Sequence, residues 1–206
     1  GSGIPVAAVS AGFTAGKVPH DLKLEMIDAS IASGAGEIDV VIERAHVLCG
    51  EWKKLYNEIM DFRHVCGGRA KLKTIIGAGD LGTLENVGKA TACAIMAGSD
   101  FVKTSTGFEP KNADLEVGLV MVRQIREFYL ETGEKVGFKP AGGIKEAKDA
   151  QLWFILMKEE LADIDPGWLT PEFFRIGAST LLNDIECQLE HCATGRYAAS
   201  YYHPIA

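Results

Sequence analysis

Two lysines stand where short apolar segments end, and each is followed at once by small residues. Lys103 follows Phe101 and Val102 and precedes Thr-Ser-Thr-Gly, and Lys139 follows Phe138 and precedes Pro-Ala-Gly-Gly. An apolar run that ends in small hydroxyl residues or glycines predicts a parallel strand followed by a loop that can close around a ligand. Lysines are rarely buried without a partner, so either lysine alone could simply be a strand-end side chain that reaches solvent. The repetition of the pattern indicates a chemical purpose.

A pair of lysines at neighbouring strand ends is suited to nucleophilic attack on a carbonyl carbon. A free lysine amine has a pKa near ~10.4, so only about one in a thousand is unprotonated at neutral pH. A dry site and a neighbouring ammonium both lower that pKa, and a shift of about three units corresponds to roughly 4 kcal/mol. A nucleophilic lysine beside a second cation is an established arrangement for Schiff-base chemistry. The residues themselves therefore predict an enzyme that handles a carbonyl substrate through an imine intermediate.

Three separated segments resemble the signature segments of the deoxyribose-phosphate aldolase family. They are 37–41 (Glu-Ile-Asp-Val-Val), 103–107 (Lys-Thr-Ser-Thr-Gly) and 137–143 (Gly-Phe-Lys-Pro-Ala-Gly-Gly). Their order and spacing also match, and the similarity covers nearly the whole chain. The resemblance implies a class I aldolase that reversibly cleaves 2-deoxy-D-ribose 5-phosphate to acetaldehyde and D-glyceraldehyde 3-phosphate. It implies no cofactor and no metal, because the protonated imine accepts the electrons.

The resemblance also assigns roles to residues of these segments. Lys103 is the expected Schiff-base lysine, and Lys139 is the second lysine, expected to lower the pKa of the first. Asp39 occupies the position of the family's catalytic aspartate, where it would work with a bound water to move protons. An aspartate in a hydrophobic strand could otherwise be the buried partner of a cation, and the two interpretations are compatible. Lys73 is on the strand between those of Asp39 and Lys103. It is expected to pair with Asp39 and orient it as a supporting residue.

Glycines at the starts of helices are the candidates for binding the substrate phosphate. Glycine lets the backbone approach an anion, and the first turn of a helix supplies free N–H groups and the positive end of its dipole. Barrel enzymes often bind phosphate in the loops after their last two strands, where the family's strand numbering places two such segments. Each segment alone is equally typical of a tight turn. The predicted phosphate-binding residues are Gly107, Gly142, Gly143, Gly177 and Ser179.

Strands and helices alternate along the chain without a linker, a low-complexity stretch or an internal repeat. The markers Asp39, Lys73, Lys103, Lys139 and Gly177 recur about every 30 to 38 residues, which is one βα unit each. Such alternation predicts an α/β protein with a parallel sheet. The predicted strands are 4–10, 37–42, 72–76, 101–103, 136–139 and 174–177. The predicted helices are 21–33, 52–65, 83–97, 114–130, 144–161 and one that begins near 179.

The resemblance implies that this sheet belongs to a TIM (β/α)8 barrel, of which six of the eight βα units are counted here. We therefore predict that residues 1–206 form a single aldolase barrel domain that lacks the first two strands. Closure is what removes the edges of a barrel sheet. The six strands should therefore leave a gap between segments 4–10 and 174–177, filled by upstream chain, a separate fragment or another subunit.

The composition excludes several other classes of protein. The 206 residues carry a net charge of −7 without a basic cluster, which argues against a nucleic-acid partner. No apolar run approaches the ~20 residues of a membrane span. Five cysteines without a CxxC pair and five histidines without ligand spacing favour a reduced cytoplasmic protein without a metal site. A small phosphorylated sugar is the expected partner, and a homodimer or larger homo-oligomer stays open.

The sequence leaves two alternatives to the cleavage of deoxyribose phosphate. One is another Schiff-base aldolase of phosphorylated sugars, and the other is a catalytically silent fragment or partner-binding paralogue. Two departures from the family pattern bear on substrate range: Thr14 replaces a usual proline, and Phe108 stands where many relatives carry a lysine on the phosphate side. In bacterial relatives a C-terminal tyrosine assists proton transfer. Tyr201 and Tyr202 precede four further residues, so neither is assigned that role.

Overall fold

Five parallel strands form one sheet in the order β1-β2-β3-β4-β5, so each strand lies beside its neighbours along the chain. The structure is a computed structural model that describes residues 3–199 and residue 202. The strands are β1 (Ala7–Ser10), β2 (Glu37–Val41), β3 (Lys71–Ile75), β4 (Phe101–Lys103) and β5 (Gly137–Lys139). All four pairings between them are parallel, which confirms the α/β class.

Helices connect the strands and cover one face of the sheet. They are α1 (His20–Ala32), α2 (Arg44–Leu48), α3 (Trp52–Cys66), α4 (Leu84–Met96), α5 (Leu115–Thr132), α6 (Ala147–Met157) and α7 (Leu181–Thr194). Thr83 caps α4, because its Oγ1 accepts the N–H of Asn86 at 3.1 Å. None of the helices among the described residues is both long and apolar enough to cross a membrane.

The register of the strands brings the predicted site residues to one face. Asp39 on β2 is level with Lys73 on β3, which is level with Phe101 on β4. Two residues further along β4, Lys103 is level with Lys139 on β5. Alternate residues of a strand point to the same side. The aspartate and the three lysines therefore share the face of the sheet that does not carry the helices.

The opposite face of the sheet holds the hydrophobic core. Ile38, Val40, Leu72, Val102 and Phe138 are completely buried there. The helices contribute apolar side chains to the same layer, among them Leu55, Ile59, Phe62 and Met121. A core on one face and charges on the other is the arrangement of a barrel wall whose inner surface carries chemistry.

The prediction of a sixth strand at 174–177 was wrong, and Pro140 supplies the reason. The segment adjoins β5 at two isolated parallel bridges only. Arg175 N–H donates to the carbonyl of Phe138 at 3.1 Å, and Gly177 N–H donates to that of Pro140 at 2.8 Å. Between these two bonds the ladder needs an N–H from residue 140, which proline lacks. The segment therefore has the position of a strand without a continuous ladder.

The first strand is shorter and more exposed than predicted. The sequence predicts a buried strand over 4–10, whereas β1 begins at Ala7. Ile4, Val6 and Val9 are 76%, 64% and 48% exposed. The physical reason is that β1 pairs with β2 alone. Within the described residues no pairing joins β1 to segment 174–177, so the sheet is open between them.

Other differences concern helix ends and the C-terminus. The short helix α2 was missed, because its five residues are too few to show a period. The predicted helix 144–161 begins only at Ala147 and ends in a π-helical turn, Lys158–Ala162. The last helix begins at Leu181 rather than near 179. Tyr201 lies outside the described residues, and Tyr202 within them.

Candidate active site

Asp39 forms ion pairs with three lysines, which lie on three neighbouring strands. Lys103 Nζ lies 2.9 Å and Lys139 Nζ 2.7 Å from the same oxygen, Asp39 Oδ2. Lys73 Nζ lies 3.3 Å from the other oxygen, Oδ1. The structure thus brings together all four residues that the sequence singles out as catalytic or supporting.

The two lysines that share Asp39 Oδ2 face an open cavity. Lys103 and Lys139 line a cavity of 560 Å³ at the carboxyl ends of β4 and β5. The side chain of Lys103 is 6% exposed and that of Lys139 14%, so both are largely withdrawn from water and can still be reached. Asp39 and Lys73 are buried behind them. The amines are therefore placed to meet a ligand, and the carboxylate is placed to act through them or through a water.

The surroundings of Lys103 favour its neutral, nucleophilic form. Burial lowers the pKa of Lys103 below its ordinary value. The negative charge of Asp39 opposes this shift, whereas the positive charges of Lys139 and Lys73 add to it. The net direction is downward, as a Schiff-base lysine requires.

Asp39 remains ionised throughout the neutral and mildly acidic range. Burial alone would raise the pKa of Asp39, but the charges of Lys103, Lys139 and Lys73 outweigh it and lower the pKa to about 2. The carboxylate is thus a fixed negative charge at the centre of three cations. A group with this pKa can hold a proton only briefly. Asp39 is therefore better suited to passing protons through a water than to storing one between steps.

The predicted phosphate-binding residues all line the same cavity, but three of their N–H groups are already in use. Gly107, Gly142, Gly143, Gly177 and Ser179 are among the lining residues. Gly107 N–H donates to Glu109 at 3.2 Å, Gly142 N–H to the carbonyl of Gly177 at 3.2 Å, and Gly177 N–H to that of Pro140 at 2.8 Å. These three glycines shape the cavity without offering a free donor.

The remaining donors lie at the start of α7 and in the loop after β5. Within the described part of the chain, the N–H groups of Gly143 and Ser179 have no acceptor. Thr180, at the N-cap of α7, makes no side-chain capping bond, so the first-turn N–H groups of the helix stay available. Lys145 lines the same rim. An anion entering here would meet free N–H groups, a helix dipole and a cation.

Glu109, which the sequence analysis did not single out, fixes the loop after β4. Its buried carboxylate accepts the N–H of Thr106 at 2.9 Å to each oxygen and the Thr106 hydroxyl at 2.7 Å. A Thr-x-x-Glu spacing resembles that of a capping box, and this similarity could have drawn attention to it. The bonds hold the loop that follows Lys103 in one conformation.

Phe108 lines the cavity and packs against a second aromatic ring, that of Phe13. Phe13 and Phe108 meet edge to face, with ring centroids 6.0 Å apart. Lys103 Nζ lies 6.0 Å from the centroid of the Phe13 ring. Phe108 is exposed and lines the cavity, so this part of the rim is apolar.

A family model described as DeoC/LacD family aldolase matches residues 6–184. The chain belongs to this family. It is 58% identical over 205 residues to a deoxyribose-phosphate aldolase of Homo sapiens and 57% identical to one of Bos taurus. In both comparisons the match covers 100% of this chain and 63% of the relative. The chain thus spans a little less than two thirds of the length of these curated relatives.

A solved structure from Toxoplasma gondii, named as a candidate deoxyribose-phosphate aldolase, shows the same fold. It superposes with a TM-score of 0.80 at 20% identity, over 94% of this chain and 72% of the other. At this identity the likeness concerns the fold alone. The five-stranded sheet of the DeoC/LacD chain is therefore part of a TIM-barrel α/β fold.

Proposed function

We propose that this DeoC/LacD chain carries the active site of a class I aldolase that reversibly cleaves 2-deoxy-D-ribose 5-phosphate to acetaldehyde and D-glyceraldehyde 3-phosphate. The observation that carries the proposal is the arrangement of Lys103 and Lys139 on one oxygen of Asp39 beside an open cavity. The high identity to two deoxyribose-phosphate aldolases over the whole chain supports the choice of substrate.

The chemistry begins with the unprotonated amine of Lys103. It attacks the C1 aldehyde of the open-chain sugar and forms a carbinolamine, which loses water to give a protonated imine. The C3 hydroxyl then gives up its proton, and the C2–C3 bond breaks with its electron pair moving into the imine. Glyceraldehyde 3-phosphate leaves, and an enamine remains on Lys103. Protonation of the enamine at C2 and hydrolysis of the imine release acetaldehyde and restore the amine.

Lys139 and Asp39 support these steps in different ways. Lys139 keeps its ammonium beside Lys103, so the pKa of Lys103 stays low. Asp39 holds both amines and, through a bound water, takes the proton from the C3 hydroxyl and delivers one to the enamine. Lys73 holds the second oxygen of Asp39. This division of labour needs no metal, because the protonated imine is the electron sink.

The phosphate of the substrate is proposed to lie at the start of α7. The free N–H groups of Gly143 and Ser179 and the ammonium of Lys145 line that end of the cavity. The backbone at Gly107, Gly142 and Gly177 forms part of the wall of the cavity. We further propose that the protein acts in the cytoplasm in the breakdown of deoxyribose phosphate derived from deoxyribonucleotides; its state of assembly stays a prediction.

A substrate panel tests the proposal. The purified chain should release acetaldehyde from 2-deoxyribose 5-phosphate, and the Lys103→Met variant should release none. Cleavage of another phosphorylated sugar at a higher kcat/KM would favour the second candidate, a different Schiff-base aldolase. The apolar rim at Phe108 is the observation that supports this candidate.

The third candidate is a catalytically silent fragment or partner-binding paralogue. The open sheet edge at β1, with Val9 and the preceding Val6 exposed, favours it. Under this alternative the folded chain would release no acetaldehyde from any sugar in the panel.

A further inference from the structure

A second carboxylate lies behind the Asp39 centre. Glu37 precedes Asp39 by two residues on β2, so both side chains point to the same face of the sheet. Glu37 is 2% exposed. Its Oε2 accepts a hydrogen bond from Lys73 Nζ, the same ammonium that lies 3.3 Å from Asp39 Oδ1. Lys73 therefore bridges the two carboxylates.

Arg175 reaches Glu37 from the segment beside β5, at the far edge of the sheet from β1. Its Nη2 donates to Glu37 Oε1 at 3.1 Å, and its Nη1 lies 3.5 Å from Oε2. Arg175 belongs to the segment beside β5, whereas Glu37 is on β2, so this contact crosses the inner face of the sheet. The Phe101 ring lies close to both cations, 5.9 Å from Arg175 Cζ and 5.8 Å from Lys73 Nζ. These groups form a second polar layer, nearer the amino ends of the strands.

The two oxygens of Asp39 serve different cations, and Glu37 maintains that division. Oδ2 faces Lys103 and Lys139, and Oδ1 faces Lys73. Among the described residues, the completely buried ammonium of Lys73 forms ion pairs with Glu37 and Asp39. Without Glu37, the ion pair with Asp39 alone would remain. A buried charge that loses a partner is costly. Lys73 would move closer to Asp39 and compete with the two amines that face the cavity.

We propose that Glu37 and Arg175 are positioning residues of the aldolase reaction, which hold the Lys73 ammonium between Glu37 and Asp39 and so keep Asp39 Oδ2 directed at Lys103. The inference rests on the proposed function, because it concerns the reactivity of Lys103. A purely structural ion pair would leave that reactivity unchanged.

The charges around Lys103 determine the sign of the expected effects. Removing the negative charge of Glu37 makes the site more positive, so the pKa of Lys103 should fall. Removing the positive charge of Arg175 makes it more negative, so the pKa of Lys103 should rise. The charged groups that act directly on Lys103 are Asp39 on β2, Lys73 on β3 and Lys139 on β5. Glu37 and Arg175 follow behind Lys73, Lys71 lies at the Phe101 ring, Glu109 holds the loop after β4, and Lys145 lines the cavity.

The test is the pH dependence of imine formation with acetaldehyde. Cyanoborohydride traps the imine, and peptide mapping quantifies the adduct at Lys103 in the wild type, Glu37→Gln and Arg175→Gln. The midpoint of the rate against pH reports the pKa of Lys103. We expect it to fall by about one pH unit in Glu37→Gln and to rise by a smaller amount in Arg175→Gln, as expected for a unit charge at an effective dielectric constant of about 20.

A matched control separates this role from loss of a buried ion pair as such. Lys23 Nζ and Glu58 Oε1 form a buried pair, 2.6 Å apart, between α1 and α3 and outside the site. Glu58→Gln should lower the Tm and leave the midpoint unchanged. Because Arg175 is partly exposed, its variant tests the inference even where Glu37→Gln does not fold.

The possible results distinguish the inference from the function on which it rests. Wild-type midpoints in folded Glu37→Gln and Arg175→Gln would overturn the inference and leave the proposed function standing. A wild type that forms no adduct at Lys103 would overturn the proposed function and the inference with it. Midpoints that move in opposite directions, with the Glu58→Gln control unmoved, would support both.

Discussion

Lys103 and Lys139 have different roles in the proposed mechanism although they contact the same oxygen of Asp39. Lys103 is the more deeply buried of the two, and its pKa is lowered by burial and by the neighbouring cations. Lys139 lies nearer the solvent and supplies one of those cations. We therefore propose that position relative to water, rather than residue type, decides which amine acts as the nucleophile.

Replacing Lys139 should move the pH profile of the reaction upward. In Lys139→Leu the like charge beside Lys103 is gone, and Asp39 is left to stabilise the Lys103 ammonium, so the pKa of Lys103 rises. We expect the pH optimum of acetaldehyde release to rise by about one to two units and the rate at pH 7 to fall at least about tenfold. Lys89→Leu, which removes an exposed lysine of α4, should change neither. An unchanged optimum in Lys139→Leu would contradict the electrostatic role.

Replacing Asp39 should cost stability in a pH-dependent way. The pKa of Asp39 is about 2 in the folded chain and about 3.9 in an unfolded chain, so the carboxylate contributes roughly 2 to 3 kcal/mol above pH ~4. This contribution is lost as the pH falls toward 2. Urea unfolding of Asp39→Asn should therefore show a deficit at pH 7 that shrinks at pH 3. A deficit of equal size at both pH values would show that lost packing, not charge, is responsible.

At the scale of the strands, Gly137 allows β5 to lie beside β4. A Cβ on Gly137 would overlap the Phe101 ring, whose Cζ would be 2.7 Å away. The ring thus occupies the space that a side chain on β5 would take. This close approach keeps Lys139 level with Lys103 two residues further along.

Gly137→Ala should therefore destabilise the fold and disturb the lysine pair. Overpacking of this kind costs roughly 1 to 3 kcal/mol, which a shift of the urea midpoint would measure. Gly68→Ala is the matched control, because a Cβ there meets no atom within 4 Å and its φ is not positive. Equal midpoints for the two variants would contradict the packing argument.

The sequence predicted the elements that carry local patterns and missed those that depend on distant partners. The strands of Lys103 and Lys139 were predicted from an apolar entry followed by small residues, and the helices after them from the alternation of strands and helices along the chain. The interrupted ladder at Pro140 depends on which segment lies beside β5, and the local sequence does not show this. Glu37 and Arg175 are 138 residues apart in the sequence, and no local pattern predicts a contact at that separation.

At the scale of the whole molecule, β1 forms an open edge of the sheet among the described residues. The strand has a partner on one side only among the described residues, and its residue Val9 and the preceding Val6 are exposed. Unpaired edges expose N–H groups to water and other chains. The chain spans 63% of the relatives' length, and we propose that the remainder of such a protein covers this edge.

Hydrogen exchange would test this view of the edge. Amides of β1 should exchange with solvent at least about tenfold faster than those of β3, which is paired on both sides. The strands are comparable controls for each other, because both are parallel and lie in one sheet. Equal protection of β1 and β3 at low protein concentration would contradict an open edge.

The most direct test of the central claim is to trap the imine and locate it. The wild-type chain is incubated with acetaldehyde, reduced with borohydride, digested and mapped by mass spectrometry, with Lys103→Met, Lys139→Met and Asp39→Asn treated alongside. The account predicts the reduced two-carbon adduct at Lys103 in the wild type, its loss in Lys103→Met, and its retention in Asp39→Asn, which should have lost turnover. An adduct at Lys139 in place of Lys103 would contradict the account.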